Sequence, residues 1–160
     1  MTIQPAFPYT AHMLKVTDVM CDQNGHMNVA FYSQLFGQSF EHFYTHDMGF
    51  SANYFASGFS SFTLEDNVRY VHECLLDEQL LVHYRLHRVN KKLIHLVAIM
   101  LNEKQQLCAI YETVLGHIDM KIRKTTDMGE EFLDNLLCIM AKHTETALEF
   151  PLRLDIKTLR

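Results

Sequence analysis

The chain has 160 residues, of which 48% are hydrophobic and 21% charged, and its net charge is −5. That length and composition predict one globular domain with a real core and exclude a disordered chain. The acidic balance, with no block of Lys and Arg, argues against a nucleic-acid partner. The apolar runs are far shorter than a membrane span. Residues 1–6 lack the basic-then-apolar pattern of a signal peptide.

Residues 10–19 read as a first strand that leads into Asp22-Gln-Asn-Gly25-His26-Met-Asn28. From 29 to 44 the apolar residues Val29, Tyr32, Phe36, Phe40 and Phe43 step by three or four, which is one stripe of a helix. Phe31 and Leu35 widen the stripe, so protein should cover much of this helix. Asn28 suits its N-cap, and Met48-Gly49 suits its stop. Residues 50–59 read as a loop.

Four strands follow. Phe62, Leu64, Val68 and Tyr70 alternate with polar residues, and Leu80, Val82, Tyr84 and Leu86 repeat the pattern. In that second strand His83, Arg85 and His87 share one face. Residues 93–101 are almost continuously apolar, which predicts a strand covered on both sides. Residues 107–118 form another. Residues 90–92 and 102–106 are short polar connections that fit antiparallel hairpins. Asp127-Met-Gly-Glu130 has the pattern of a capping box before a helix over about 130–147, with Phe132, Leu133, Leu136, Leu137 and Met140 on one side. The tail from 151 to 160 is either loose or docked. A helix apolar over most of its girth needs a sheet curled around it, and these strands supply one.

Cys21, Cys74, Cys108 and Cys138 form no C-x-x-C pair, so they read as reduced, mostly buried thiols of a cytoplasmic protein. Cys21 adjoins Asp22 and is either a nucleophile or, more simply, packing on the opposite strand face. The ten histidines show no metal-ligand spacing, so no metal is assigned.

The junction at residues 22–28 carries the chemistry. It can hold a carboxylate beside a helix N-terminus, whose free N–H groups favour negative charge. That pairing suits attack on a carbonyl carbon: the carboxylate attacks or activates water, and the N–H groups receive the charge on oxygen. Asp22 alone is also an ordinary turn or cap residue.

This element order and junction resemble the hotdog-fold acyl-CoA thioesterases. The likeness is to the branch reading Asp-x-Asn-Gly-His-Met-Asn, which includes 4-hydroxybenzoyl-CoA-type and betainyl-CoA-type enzymes. The matching residues are Asp22, Asn24, Gly25, His26, Met27, Asn28 and Tyr32. Residues 62–70, with Thr63, Leu64, Glu65, Arg69 and Tyr70, are similar to a second family strand, and the likeness spans about residues 10–120.

The resemblance implies an α+β hotdog fold: an antiparallel sheet around a central helix, here with an added C-terminal helix. It implies a homodimer, or a homotetramer built from it, with two sheets joined edge to edge and active sites between protomers. It implies hydrolysis of an acyl-CoA thioester, coenzyme A being substrate rather than cofactor, with Asp22 as nucleophile or general base. Gly25 would shape the turn, and Val29 would offer its N–H to the thioester oxygen. His26 would orient the motif or polarise the substrate, or is a surface residue. Glu65 would steady a water or is a solvated strand residue. Asn28 caps or touches substrate, and Tyr32 lines the acyl pocket or packs in the core. Arg88, Lys91 and Lys92 cluster at a hairpin as candidates for the coenzyme A phosphates. Phe31, Phe55, Phe59, Phe62 and Met100 would suit an aliphatic or aromatic acyl wall, and a quaternary-ammonium acyl group would need an aromatic cage. The competing reading is a hotdog protein that binds acyl-CoA or an acyl carrier without hydrolysis.

Overall fold

The computed structural model describes residues 3–156. Its sheet has the order β1-β4-β5-β6-β3, with β2 also on β4 and the short β7 (Lys124–Thr125) on β6. The long strands are β3 (Phe59–Tyr70), β4 (Gln79–Val89), β5 (Leu93–Asn102) and β6 (Leu107–Asp119), and every pairing is antiparallel. The two polar hairpins fall where the sequence puts them.

The reading of residues 10–19 as one strand needs correction. The segment makes two short pieces on β4, β1 (Tyr9–Thr10) and β2 (Leu14–Lys15), and then a 3₁₀ turn at Asp18–Met20. Tyr9 lies opposite Tyr84, but Leu14 lies opposite Leu80. The register therefore slips by one residue between the pieces, as a bulge requires.

Helix α1 (Val29–His42) lies against the concave face, capped by Asn28 as read. It passes into a π-helical turn, Phe43–Asp47, and stops at Gly49, whose φ is +89°. Leu35, Phe36 and Phe43 are buried against Leu80, Val82, Tyr84, Leu86 and Met100. Phe36 is fully covered, and burying such a ring is worth about 1.5–3 kcal/mol. The Tyr84 hydroxyl donates to the Phe36 carbonyl, so the turn of α1 nearest the sheet is also pinned by a polar contact.

Residues 50–59 are not all loop: α2 (Ala52–Ala56) forms there, because the Ser51 hydroxyl accepts the Tyr54 N–H and starts a turn. The C-terminal helix α3 is shorter than read, Glu130–His143, and its N-cap is Gly129 with no side-chain cap. The capping box is not made, since Asp127 turns to the Lys92 ammonium at 3.6 Å. Helix α3 runs beside β4. A bulge at Leu86 frees its N–H, which His143 Nδ1 accepts at 3.0 Å.

The opposite, outer face of the sheet explains the continuous apolar run of β5. Val97, Ile99 and Leu101 pack under Phe7 from the N-terminal segment and Leu148, Phe150 and Leu152 from the tail. The tail is docked through its described part. Residues 157–160 of the tail lie outside the described residues. The histidine face of β4 also points to this side and is covered rather than solvated: His83 and Arg85 are buried. Beside them sits Glu112, 0% exposed. It accepts the Arg153 and Leu154 N–H groups at 2.9 Å and Arg69 Nη2 at 3.2 Å. A buried carboxylate demands such partners, and here they hold the tail to the sheet.

Candidate active site

Residues 22–28 form a tight hairpin. Cys21 bridges Met27, the Asp22 N–H donates to the His26 carbonyl at 3.1 Å, and the Gly25 N–H donates to the Asp22 carbonyl at 2.9 Å. Gly25 sits at φ +79°, the left-handed region that glycine enters at little cost. The Asp22 carboxylate is fixed from two sides: Oδ1 accepts the Asn24 N–H at 2.9 Å, and Oδ2 accepts Asn28 Nδ2 at 3.1 Å. The Asn24 N–H first, then the Asn28 amide, hold this carboxyl below its usual range, so it is an anion at neutral pH.

Asn28 does a second job. Its Oδ1 accepts the Ala30 N–H at 3.0 Å and caps α1. The Val29 N–H, at the first helical position, has no partner among the described residues and borders the cleft. Carboxylate and free helix-end donor therefore share one short turn.

The turn is fastened to the segment after β3. The Met27 N–H donates to the Cys74 carbonyl at 2.8 Å, and His26 bridges Leu75. This brings in a residue that sequence reading missed. Glu73 Oε2 lies 3.1 Å from His26 Nδ1, while His26 Nε2 lies 3.9 Å from Asp22 Oδ1. No local spacing signals a contact between residues 47 apart.

A cleft of about 370 Å³ opens here. Val29, Tyr32, Tyr70 and Val71 form its apolar wall, and His26, His72 and Glu73 its polar one. Tyr32 and Tyr70 meet edge to face at 4.9 Å. Tyr32 is thus both core and wall, because its ring is buried while it still borders the opening.

The remaining candidates do not gather around Asp22 within one protomer. Glu65 is exposed on β3, on the face that also carries Asn67 and Arg69. Arg88, Lys91 and Lys92 lie at the far end of β4 from the Asp22 turn, about 33 Å along the strand. Arg88 pairs with Asp155 at 2.6 Å, and Lys92 with Asp127. The five-residue acyl wall does not assemble, since Met100 is buried in the core. A larger cleft of about 560 Å³, lined by Tyr54, Phe59, Phe132 and Glu130, sits beyond the other end of α1. The 14-residue helix alone separates it from Asp22 by about 21 Å.

All four cysteines are free, but Cys138 is exposed, unlike the buried Cys74 and Cys108. Burial, then Asp18, Asp22 and Asp77, push the Cys21 thiol up, which disfavours the thiolate a nucleophile needs. Among the described residues no cluster of three or more His, Cys, Asp and Glu is placed to hold a metal ion. No described helix is long and apolar enough to cross a membrane.

Comparison with known proteins gives the family and the fold. The chain is 32% identical over 126 residues, 79% of its length, to an L-carnitine dehydrogenase/betainyl-CoA thioesterase of Agrobacterium fabrum (strain C58 / ATCC 33970). It spans only 26% of that relative's length. Among solved structures, a Staphylococcus aureus protein in complex with CoA superposes with a TM-score of 0.80 at 22% identity, covering 93% of this chain and 95% of that one. A DHNA-CoA thioesterase from Staphylococcus aureus gives 0.74 at 18% identity, covering 85% and 94%. The fold is the hotdog fold that the sequence resemblance implied. The family model of the Thioesterase-like superfamily matches residues 16–136, more than half of the chain, and the protein belongs to that superfamily.

Proposed function

We propose that this protein hydrolyses an acyl-CoA thioester, with Asp22 acting at the thioester carbonyl. The observation that carries this reading is an ionised Asp22 carboxylate, clamped by Asn24 and Asn28, one turn from the Val29 N–H, which has no partner among the described residues. Family membership and the thioesterase named in the Agrobacterium relative support it. In the reaction an oxygen adds to the thioester carbon, from Asp22 itself or from water that Asp22 deprotonates. The carbonyl pair moves onto oxygen, facing the Val29 N–H. When it returns, the C–S bond breaks and coenzyme A leaves as a thiolate. In the nucleophile route one water then opens the mixed anhydride, releasing the acid and restoring the Asp22 carboxylate.

The edge of β3 supports a homodimer. Among the described residues no strand pairs with its outer side, and Leu64 and Tyr70 are about half exposed there. Antiparallel pairing of two β3 edges about their midpoints would set the Phe59 end of one protomer beside the Tyr70 end of the other. The hairpin carrying Arg88, Lys91 and Lys92 lies at the Phe59 end, because Leu93 pairs Gly116 and Gly116 pairs Phe62. Those cations would then serve the partner's cleft, and Glu65 would lie near the junction. Four free thiols fit a reducing, cytoplasmic setting. The acyl group carries an ammonium head in this reading, as the betainyl-CoA relative and the Tyr32–Tyr70 pair suggest.

The test is thiol release from betainyl-, acetyl- and benzoyl-CoA by wild type and Asp22→Asn. Loss of about 10²-fold or more in a folded variant is expected. Equal turnover removes Asp22 from the chemistry, and tight binding without release identifies a binder. A single turnover in ¹⁸O-water tests the anhydride route, since Asp22 gains label only when water opens an anhydride at the Asp22 carbonyl. Sedimentation should give twice the chain mass for wild type and the single mass for Leu64→Asp.

A further inference from the structure

We infer that Glu73 is a positioning residue for this reaction: it holds the His26 imidazole as the Nδ1–H tautomer and aims Nε2 toward Asp22. This rests on the thioesterase reading and goes beyond it, because Glu73 belongs to no part of the motif at residues 22–28. An ionised carboxylate only accepts hydrogen bonds. With Glu73 Oε2 3.1 Å from Nδ1, the proton of a neutral His26 ring sits on Nδ1. Nε2 is then bare and lies 3.9 Å from Asp22 Oδ1, too long for a direct hydrogen bond. His26 and Glu73 both border the cleft, so the ring that Glu73 holds stands at its wall.

Two attachments keep the ring in place. The backbone bridge from His26 to Leu75 fixes the main chain, and the Glu73 contact fixes the ring plane. Both anchors come from the segment 73–75, which also fastens the Asp22 turn where the Met27 N–H donates to the Cys74 carbonyl. The charged and titratable groups facing His26 are Asp22 on its own turn and Glu73 and His72 on the opposite wall. Glu73 is about half exposed, so replacing it leaves the core intact.

The experiment compares wild type, Glu73→Gln and Glu73→Ala by imidazole ¹⁵N NMR and by steady-state thiol release across pH. Wild-type His26 is expected to show Nδ1–H, which Glu73→Gln keeps through its amide oxygen. Glu73→Ala is expected to shift toward Nε2–H and to lose on the order of 10–100-fold in kcat, with KM changed less than about 2-fold. An unchanged tautomer in Glu73→Ala, or a loss carried wholly by KM, overturns the inference. If wild type releases no thiol from any acyl-CoA, the thioesterase reading fails, while the ¹⁵N spectra still decide the role of Glu73.

Discussion

Asn28 joins Asp22 to the first turn of α1 with one amide: Nδ2 donates to Asp22 Oδ2 at 3.1 Å while Oδ1 accepts the Ala30 N–H at 3.0 Å. Holding the acid and capping the helix are thus separable by substitution. Asn28→Ser keeps a capping oxygen but loses the donor, so stability should stay within about 0.5 kcal/mol while thiol release falls. Asn28→Ala should lose activity and about 1 kcal/mol of stability together. Urea titrations beside the thiol assay check both. Equal activity in Asn28→Ser and wild type would show that the Nδ2 contact is dispensable.

The same clamp sets a pH dependence. Asn24 and Asn28 bond the charged form of Asp22 and hold its carboxyl below the usual range. Activity should therefore persist as pH falls through the ordinary carboxylate range and drop only below it. Removing one donor raises the group back toward its ordinary value. The acid limb of kcat/KM in Asn28→Ser should accordingly lie at higher pH than in wild type.

Gly25 at φ +79° has nothing within 4 Å of a built Cβ, so space is not the obstacle to a side chain there. Backbone strain is. Gly25→Ala should cost about 1–2 kcal/mol and slow turnover by moving the Asp22 turn. Chemical denaturation reads the first effect and kcat the second.

Glu112 should be the most costly polar residue to remove from the outer face. Glu112→Ala would strand the Arg69 guanidinium and the Arg153 and Leu154 N–H groups. Breaking one side of a buried pair typically costs about 3–5 kcal/mol. Thermal melting should show that loss, and hydrogen exchange should show faster opening at 153–154.

His87 gives stability its own acid sensitivity. Burial first, then His95 and the arginines, push it down to about 4. The unfolded chain takes up this proton near pH 6.5, the folded chain only near 4. Between those values the unfolded state binds more protons, so stability falls as pH drops. His87→Leu should flatten that decline in urea midpoints measured from pH 7 to pH 4. His83, His95 and His143 are also lowered by burial, so part of the slope should remain.

What could be read from the residues divides along a physical line. The α1 stripe, the Asn28 cap and the four long strands follow local periodicity, and the structure agrees with them. The positive φ of Gly25 was legible because its turn is local. Residues 10–19 were not, because a register slip depends on the partner strand β4. Asp127 failed as a cap because Lys92, 35 positions away, competes for it. Glu73 was invisible for the same reason, being joined to His26 only by the fold. The histidines of β4 read as one face, but only the docked tail shows why that face is buried.

Phe7 and Phe150 stack at 6.2 Å on the outer face, while the Asp22 turn belongs to the side that holds α1. The N-terminal segment and the tail therefore clasp one another across the back of β5, so loosening either should uncover Val97, Ile99 and Leu101 together.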